Sequence, residues 1–129
     1  MTTGTKDQIF KARQYRQQIM DKISVETSIA ETFRPGNDKD YYLKILEENV
    51  DKLKSMIDDM KEKSVHLKQD VKDEFEEESQ KLQHRYDEAK SRLNDIRQSG
   101  EDAWKELHES ALNAWRELVS GMKSAISKF

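Results

Sequence analysis

Three stretches, Ala103-Trp104-Lys105-Glu106-Leu107, Ala114-Trp115-Arg116-Glu117-Leu118 and Ala125-Ile126-Ser127-Lys128-Phe129, repeat one pattern of residue types at an interval of eleven. Followed upstream, the same interval joins Met60, Val71, Leu82, Leu93, Trp104, Trp115 and Ile126, all of them apolar. Only 34% of the chain is apolar. Seven independent hits then arise by chance about 0.05% of the time, or about 0.6% over eleven starting phases. Eleven residues make three helical turns with about 20° left over, so such a row runs along one helix face with a slight right-handed drift.

Two further rows accompany the first. One holds Ile96, Leu107, Leu118 and Phe129, with Arg85 at its upstream position; the other holds Leu67, Ala89, Gly100, Ala111 and Met122, interrupted by Glu78. Upstream of Met60 the steps are heptad-like, through Leu43, Leu46, Val50, Leu53 and Ile57. No proline follows Lys39, and the pairs Glu48/Lys52, Asp59/Lys63, Glu77/Lys81, Glu88/Arg92 and Glu101/Lys105 each set an acid four residues before a base. That orientation supports a helix surface by about 0.2 to 0.5 kcal/mol per pair. The pattern predicts one long helix from Lys39 to Phe129, about 135 Å if unbroken. A rod of that length cannot bury its own stripe, and must fold back, pair with another chain or meet a membrane. Ser99-Gly100 is the one hinge on offer, but the stripe keeps its phase across it. The reading therefore favours helix continuing through Gly100, with the glycine marking close approach of a neighbouring helix.

Thr5 and Gln8 have capping-box spacing, and a first helix is expected from about Lys6 to Thr32, with Ile9, Ala12, Ile19, Ile23 and Ala30 on one stripe that Arg16 interrupts. The β-branched and hydroxyl-rich segment Ser24–Ser28 is expected to fray. Arg34-Pro35-Gly36-Asn37 suits a type II turn and Asp38 can cap the next helix. The chain thus divides into an N-terminal helix (1–34), a Pro-Gly turn (35–38), a long charged coiled-coil helix (39–99) and a Trp-containing amphipathic segment (100–129) continuous with it. The expected fold class is all-α: a helical hairpin leading into a long coiled-coil-like helix with eleven-residue repeats, in an oligomer.

Composition narrows the function classes. Of 129 residues, 38% are charged and only four are glycine and one proline, against roughly 25% charged in ordinary globular domains, so turn-rich β architectures are disfavoured. Twenty-three Lys and Arg against 26 Asp and Glu give a net charge of −3, too even for a protein that coats nucleic acid. The chain has no cysteine, which removes disulfides and thiolate metal sites and suits a reducing compartment. Its first residues lack the apolar stretch of a signal peptide, and no run of about 18 apolar residues is present; the expected location is cytoplasmic, with the inner face of a membrane as a peripheral variant.

Three constellations invite chemistry. Lysines stand three residues before His66, His84 and His108, where a Glu-x-x-His metal motif would need acids; of the three, His108 is expected at the edge of the apolar face near Trp104 and Leu112. The acidic run Asp73, Glu74, Glu76, Glu77 and Glu78 surrounds Phe75 on several helix faces and lacks the alternation of a calcium loop, so a solvated face is the better reading. No nucleophile turn or phosphate loop occurs. Neither enzyme activity, a cofactor, a metal nor a small-molecule substrate is expected. The C-terminal stripe has two competing readings. With Trp104 and Trp115 on one line bordered by Lys105, Arg116 and Lys123, it resembles an interfacial membrane helix; Glu101, Asp102, Glu106, Glu109 and Glu117 reduce any attraction to anionic lipid and favour packing between helices.

Residues from about Lys39 to Phe129, with a Tyr-rich start and the pattern Gly100-Glu101-Asp102-Ala103-Trp104, Glu106-Leu107, Ala114-Trp115, Leu118 and Lys128-Phe129, resemble a group of small uncharacterised bacterial coiled-coil proteins. The resemblance implies a bacterial coiled-coil protein and no catalytic residues. The leading expectation is a non-enzymatic helical interaction or scaffold protein that forms a homo-oligomer or binds another helical protein. Its contact residues would be Leu43, Leu46, Val50, Leu53, Met60, Val71, Leu82, Leu93, Trp104, Leu107, Trp115, Leu118, Met122, Ile126 and Phe129. The alternative is a peripheral membrane or lipid-surface protein, linked to stress, that uses the C-terminal helix.

Overall fold

The computed structural model describes residues 2–32, 39–100 and 102–129, with side chains at 11–27, 39–100 and 102–129. These residues form four α-helices, α1 Thr2–Thr32, α2 Lys39–Lys63, α3 Gln69–Gln98 and α4 Trp104–Ile126, with a short 3-10 turn at Ser64–His66 between α2 and α3. The protein is all-α, with no strand among the described residues.

Contacts between side chains define how the helices run. Tyr15 meets Asp59 and Glu26 meets Lys52, so α1 and α2 are antiparallel. Asp51 with Lys90 and Glu47 with Arg97 set α2 against α3 in the same sense, and Glu74 with Lys128 and Arg85 with Glu117 do so for α3 and α4. Helices α1 and α4 also touch, and just beyond α4 Phe129 meets Tyr15. The result is an up-down-up-down four-helix bundle.

The long helix expected from Lys39 to Phe129 is three helices. At the first break the Ser64 hydroxyl donates to Lys61 O at 2.6 Å and Leu67 N–H closes onto Ser64 O at 3.0 Å, after which Leu67 and Lys68 are extended. At the second, the Ser99 hydroxyl and N–H both reach Ile96 O, at 2.6 and 3.1 Å, and Ser99 is extended. Serine side chains thus offer the backbone a local alternative to helix at both sites. Lys39 Nζ, at the start of α2, donates to Ser99 O at 2.8 Å and Arg97 O at 3.3 Å, placing a cation at the negative end of α3. The physical cause lies in the stripe itself: two turns let it be buried within one chain.

The expected role of Gly100 changes accordingly. It lies in the link between α3 and α4, without a positive φ, and no atom would lie within 4 Å of a Cβ there. The glycine at a close approach is Gly121 in α4, against Leu82 and Arg85 of α3.

Helix α1 begins at Thr2, upstream of Thr5, so Thr5 is inside the helix and does not cap it. Ser24–Ser28 stays helical instead of fraying; the Thr27 hydroxyl donates back to Ile23 O at 2.7 Å. Tyr15, Ile19, Ile23 and Glu26 face inward, Ala12 is half-buried and Arg16 is exposed. The side chains of Ile9 and Ala30, and the turn at 34–37 with Asp38, lie outside the described residues.

Candidate interaction face

Of the fifteen contact residues read from the sequence, all but Val71 belong to the chain's own core or pack against it. Leu43, Leu46, Val50, Leu53 and Met60 on α2, Leu82 and Leu93 on α3, and Trp104, Trp115, Leu118, Met122 and Ile126 on α4 are buried; Val71, Leu107 and Phe129 are half-buried. Both tryptophans are only 1% exposed. In the closed bundle this face is therefore occupied by the other helices of the chain.

Aromatic clusters close both ends. At one, Tyr42 packs on Trp104 with ring centroids 5.3 Å apart and meets His108 edge-on at 6.1 Å; this half-buried His108 sits at the border of the stripe, as the spacing suggested. Burial pushes the Tyr42 phenol up to about 12 because it disfavours the phenolate. At the other end Phe129 lies between Tyr15 and Phe75, 5.3 Å from each. Tyr15 OH donates to Asp59 Oδ2 at 2.6 Å, and Lys63 Nζ stands 5.1 Å over the Tyr15 ring. Burial, and then the Asp59 carboxylate, raise the Tyr15 phenol far above its usual range. The hydrogen bond from Tyr15, followed by Lys63, holds the Asp59 carboxyl below its usual range despite opposing desolvation.

Three buried polar atoms in the described core lack a hydrogen-bond partner: Glu26 Oε2, Asn49 Nδ2 and Trp115 Nε1. The other Glu26 oxygen lies 3.6 Å from Lys52 Nζ. Alongside runs a cleft of about 560 Å³ between α1 and α2, with Ile19, Val25 and Met56 as apolar walls. A second, of about 480 Å³, opens beside Tyr15, Leu67 and Phe129 under Lys11 and Lys63.

Of the expected acid-base pairs, Asp59–Lys63 and Glu88–Arg92 form, at 3.2 and 3.6 Å. Lys52 turns to Glu26 across the helix interface and Lys81 to Glu78; Glu101 is outside the described residues. The acidic run around buried Phe75 is a solvated face, with Glu74 paired to Lys128. Among the described residues no group of His, Asp and Glu is arranged to hold a metal ion, and no helix is long and apolar enough to cross a membrane.

Reasoning from the stripe missed Tyr15, Phe75, Asn49 and the Arg85–Gly121 contact. Tyr15 had a usable signal, since it precedes Ile19 and Ile23 at steps of four. Arg85 had only a negative one, as the charged member of an apolar row.

Compared with known proteins, the chain matches no family model, no curated protein and no solved structure.

Proposed function

We propose that the protein is a non-enzymatic helical interaction protein that self-associates through its eleven-residue apolar rows. The observation that carries this reading is that three rows cross the link between α3 and α4 in phase: Ala89/Gly100/Ala111, Leu93/Trp104 and Ile96/Leu107. A turn frees the two helices it joins to choose their phases independently, so a closed hairpin alone does not require this register. A segment that also serves as continuous helix, paired with a second chain, does. The likeness of residues from about Lys39 to Phe129 to small bacterial coiled-coil proteins agrees with it, and the setting proposed with it is cytoplasmic.

Sedimentation equilibrium from micromolar to a few hundred micromolar tests the proposal. Dimers or larger species are expected; a helical monomer throughout would overturn it.

A lipid-surface role is the second reading, favoured by the two tryptophans of α4 with Lys105, Arg116 and Lys123 on its exposed border. Trp104 and Trp115 are the only tryptophans in the chain, so their emission is a direct probe. A blue shift on adding anionic vesicles supports lipid contact, and emission already blue and indifferent to vesicles supports burial by protein.

A further inference from the structure

We infer that two copies of this chain associate by exchanging α4, with Ser99–Ala103 straightening so that α3 and α4 become one continuous helix. The inference rests on the self-association reading above and specifies its geometry. Every residue of the face expected to meet a partner on α4 is already packed against α1, α2 or α3, with Trp104, Trp115, Leu118, Met122 and Ile126 buried and Leu107 half-buried. A second copy reaches that face only by displacing the chain's own helices. Exchange is the route that keeps every one of those contacts, since α4 of one chain takes the place of α4 in the other.

The α3–α4 link is fitted to this change. Ser99 is held extended by bonds to Ile96 O, and Lys39 bonds the Ser99 and Arg97 carbonyls; all are exchangeable for ordinary helical bonds. Gly100 has no positive φ, so it is not committed to the left-handed conformation that ends a helix. Once helical, Leu93, Ile96, Gly100, Trp104 and Leu107 follow at steps of three and four, which places them on one face. Gly100 then sits at the middle of that face, where two straightened helices of neighbouring chains cross, and its missing side chain permits close approach. The link between α2 and α3 is less suited: Met60/Val71 keep their phase across it, but Ile57 would be followed eleven residues later by Lys68.

The test uses Glu74 and Lys128, exposed or half-exposed side chains paired at 3.5 Å across α3 and α4 in the closed chain. Spin labels are placed on Glu74→Cys, Lys128→Cys and the double variant, in a protein that has no other cysteine. In the exchanged dimer, a doubly labelled chain diluted into unlabelled protein has its labels about 80 Å apart along one helix. A mixture of the two singly labelled chains gives a short distance, because each α3 holds the other chain's α4. A dimer in which the doubly labelled chain keeps the short distance, and the mixture shows none, overturns the exchange and leaves self-association standing. Absence of any dimer overturns both. A second pair of variants reads the link itself: Ser99→Ala, away from the crossing point, favours helix there and should tighten dimerisation about five-fold, since both chains gain helix propensity. Inserting Gly-Ser-Gly after Gly100 should weaken it. Equal dimerisation in both would count against a straightened link.

Discussion

The guanidinium of Arg85 on α3 occupies the space that a side chain at Gly121 on α4 would fill. A Cβ at residue 121 would collide with Arg85 Nη1 and come within 3.0 Å of Leu82 Cδ2. Nη1 in turn donates to Glu117 O at 3.2 Å. The charged residue that interrupts an apolar row is thus accommodated by a glycine on the facing helix, which exposes a carbonyl for it.

A double-mutant cycle measures this relationship. Alanine at an interior helix position gains about 0.8 to 1.0 kcal/mol over glycine, but Gly121→Ala displaces Arg85 from a hydrogen bond worth about 0.5 to 1.5 kcal/mol. In the native background the two effects should nearly cancel. In an Arg85→Ala background only Leu82 must give way, so Gly121→Ala should be more favourable there by about 1 kcal/mol, read as the coupling in urea denaturation. Equal effects in both backgrounds would show that the two residues do not meet.

Tyr15 and Asp59 make the stability of one end of the bundle depend on pH at both extremes. The Asp59 carboxyl is held below its ordinary value, so its contribution is full above the unfolded value of about 3.9 and is lost as pH falls through the lower folded one. The Tyr15 phenol is raised, so its contribution is full below about pH 10 and lost as pH rises beyond it. Tyr15→Phe keeps the ring packing against Phe129 and removes only the hydroxyl. It should cost about 1 kcal/mol at neutral pH, the low side for a bond to a charged group because the Asp59 side chain is 41% exposed. Thermal melts of the two proteins should converge at acid pH; a gap that persists below pH 2 would assign the loss to packing.

The all-α class and most of the core were legible because apolar periodicity registers which face of a helix is buried, whatever buries it; Tyr15, Tyr42, Met56 and Phe75 are the larger core residues it left out. Trp104, Trp115, Leu118 and Ile126 are buried as the stripe required. The break after Lys63 was not legible, and the one at Ser99-Gly100 was visible as a hinge, but the stripe, keeping its phase across it, argued for continuous helix. An eleven-residue row reads the same along one helix or along antiparallel helices whose phases agree, and Ser64, at the end of α2, differs in no local way from helical serines such as Ser79. The cation that caps α3, Lys39, comes from sixty residues away. Gly121 was hidden for a related reason: only the facing helix, brought there by the turn, gives its missing side chain a consequence.

Lys39 should be a measurable clasp on that turn. Its ammonium bonds two carbonyls at the C-terminal end of α3, an arrangement worth about 0.3 to 1 kcal/mol and weakened by salt. Lys39→Met keeps most of the side-chain length and should lower stability by that amount in dilute buffer, with the difference shrinking toward zero at 1 M salt. A salt-independent loss would assign the effect to the two hydrogen bonds and not to the charge at the helix end.

Asn49 is the most polar intrusion into the α2 stripe, 3% exposed among Leu46, Val50 and Leu53, with its Nδ2 unpartnered. An unsatisfied buried amide costs about 1 to 3 kcal/mol, and valine has nearly the same helix propensity as asparagine. Asn49→Val should therefore raise stability by about 1 kcal/mol in urea denaturation. Glu26 Oε2 is the other buried orphan near this level, since Glu26 pairs with Lys52 from the opposite helix. If the substitution lowers stability instead, the amide is satisfying that carboxylate in solution, and Glu26→Gln should then change the cost of Asn49→Val. A buried asparagine in a helical seam also restricts register and oligomer number at the expense of stability. The stabilised variant should accordingly sediment as a broader mixture of species than the native chain, and a single species of unchanged size would limit the role of Asn49 to the fold of one chain.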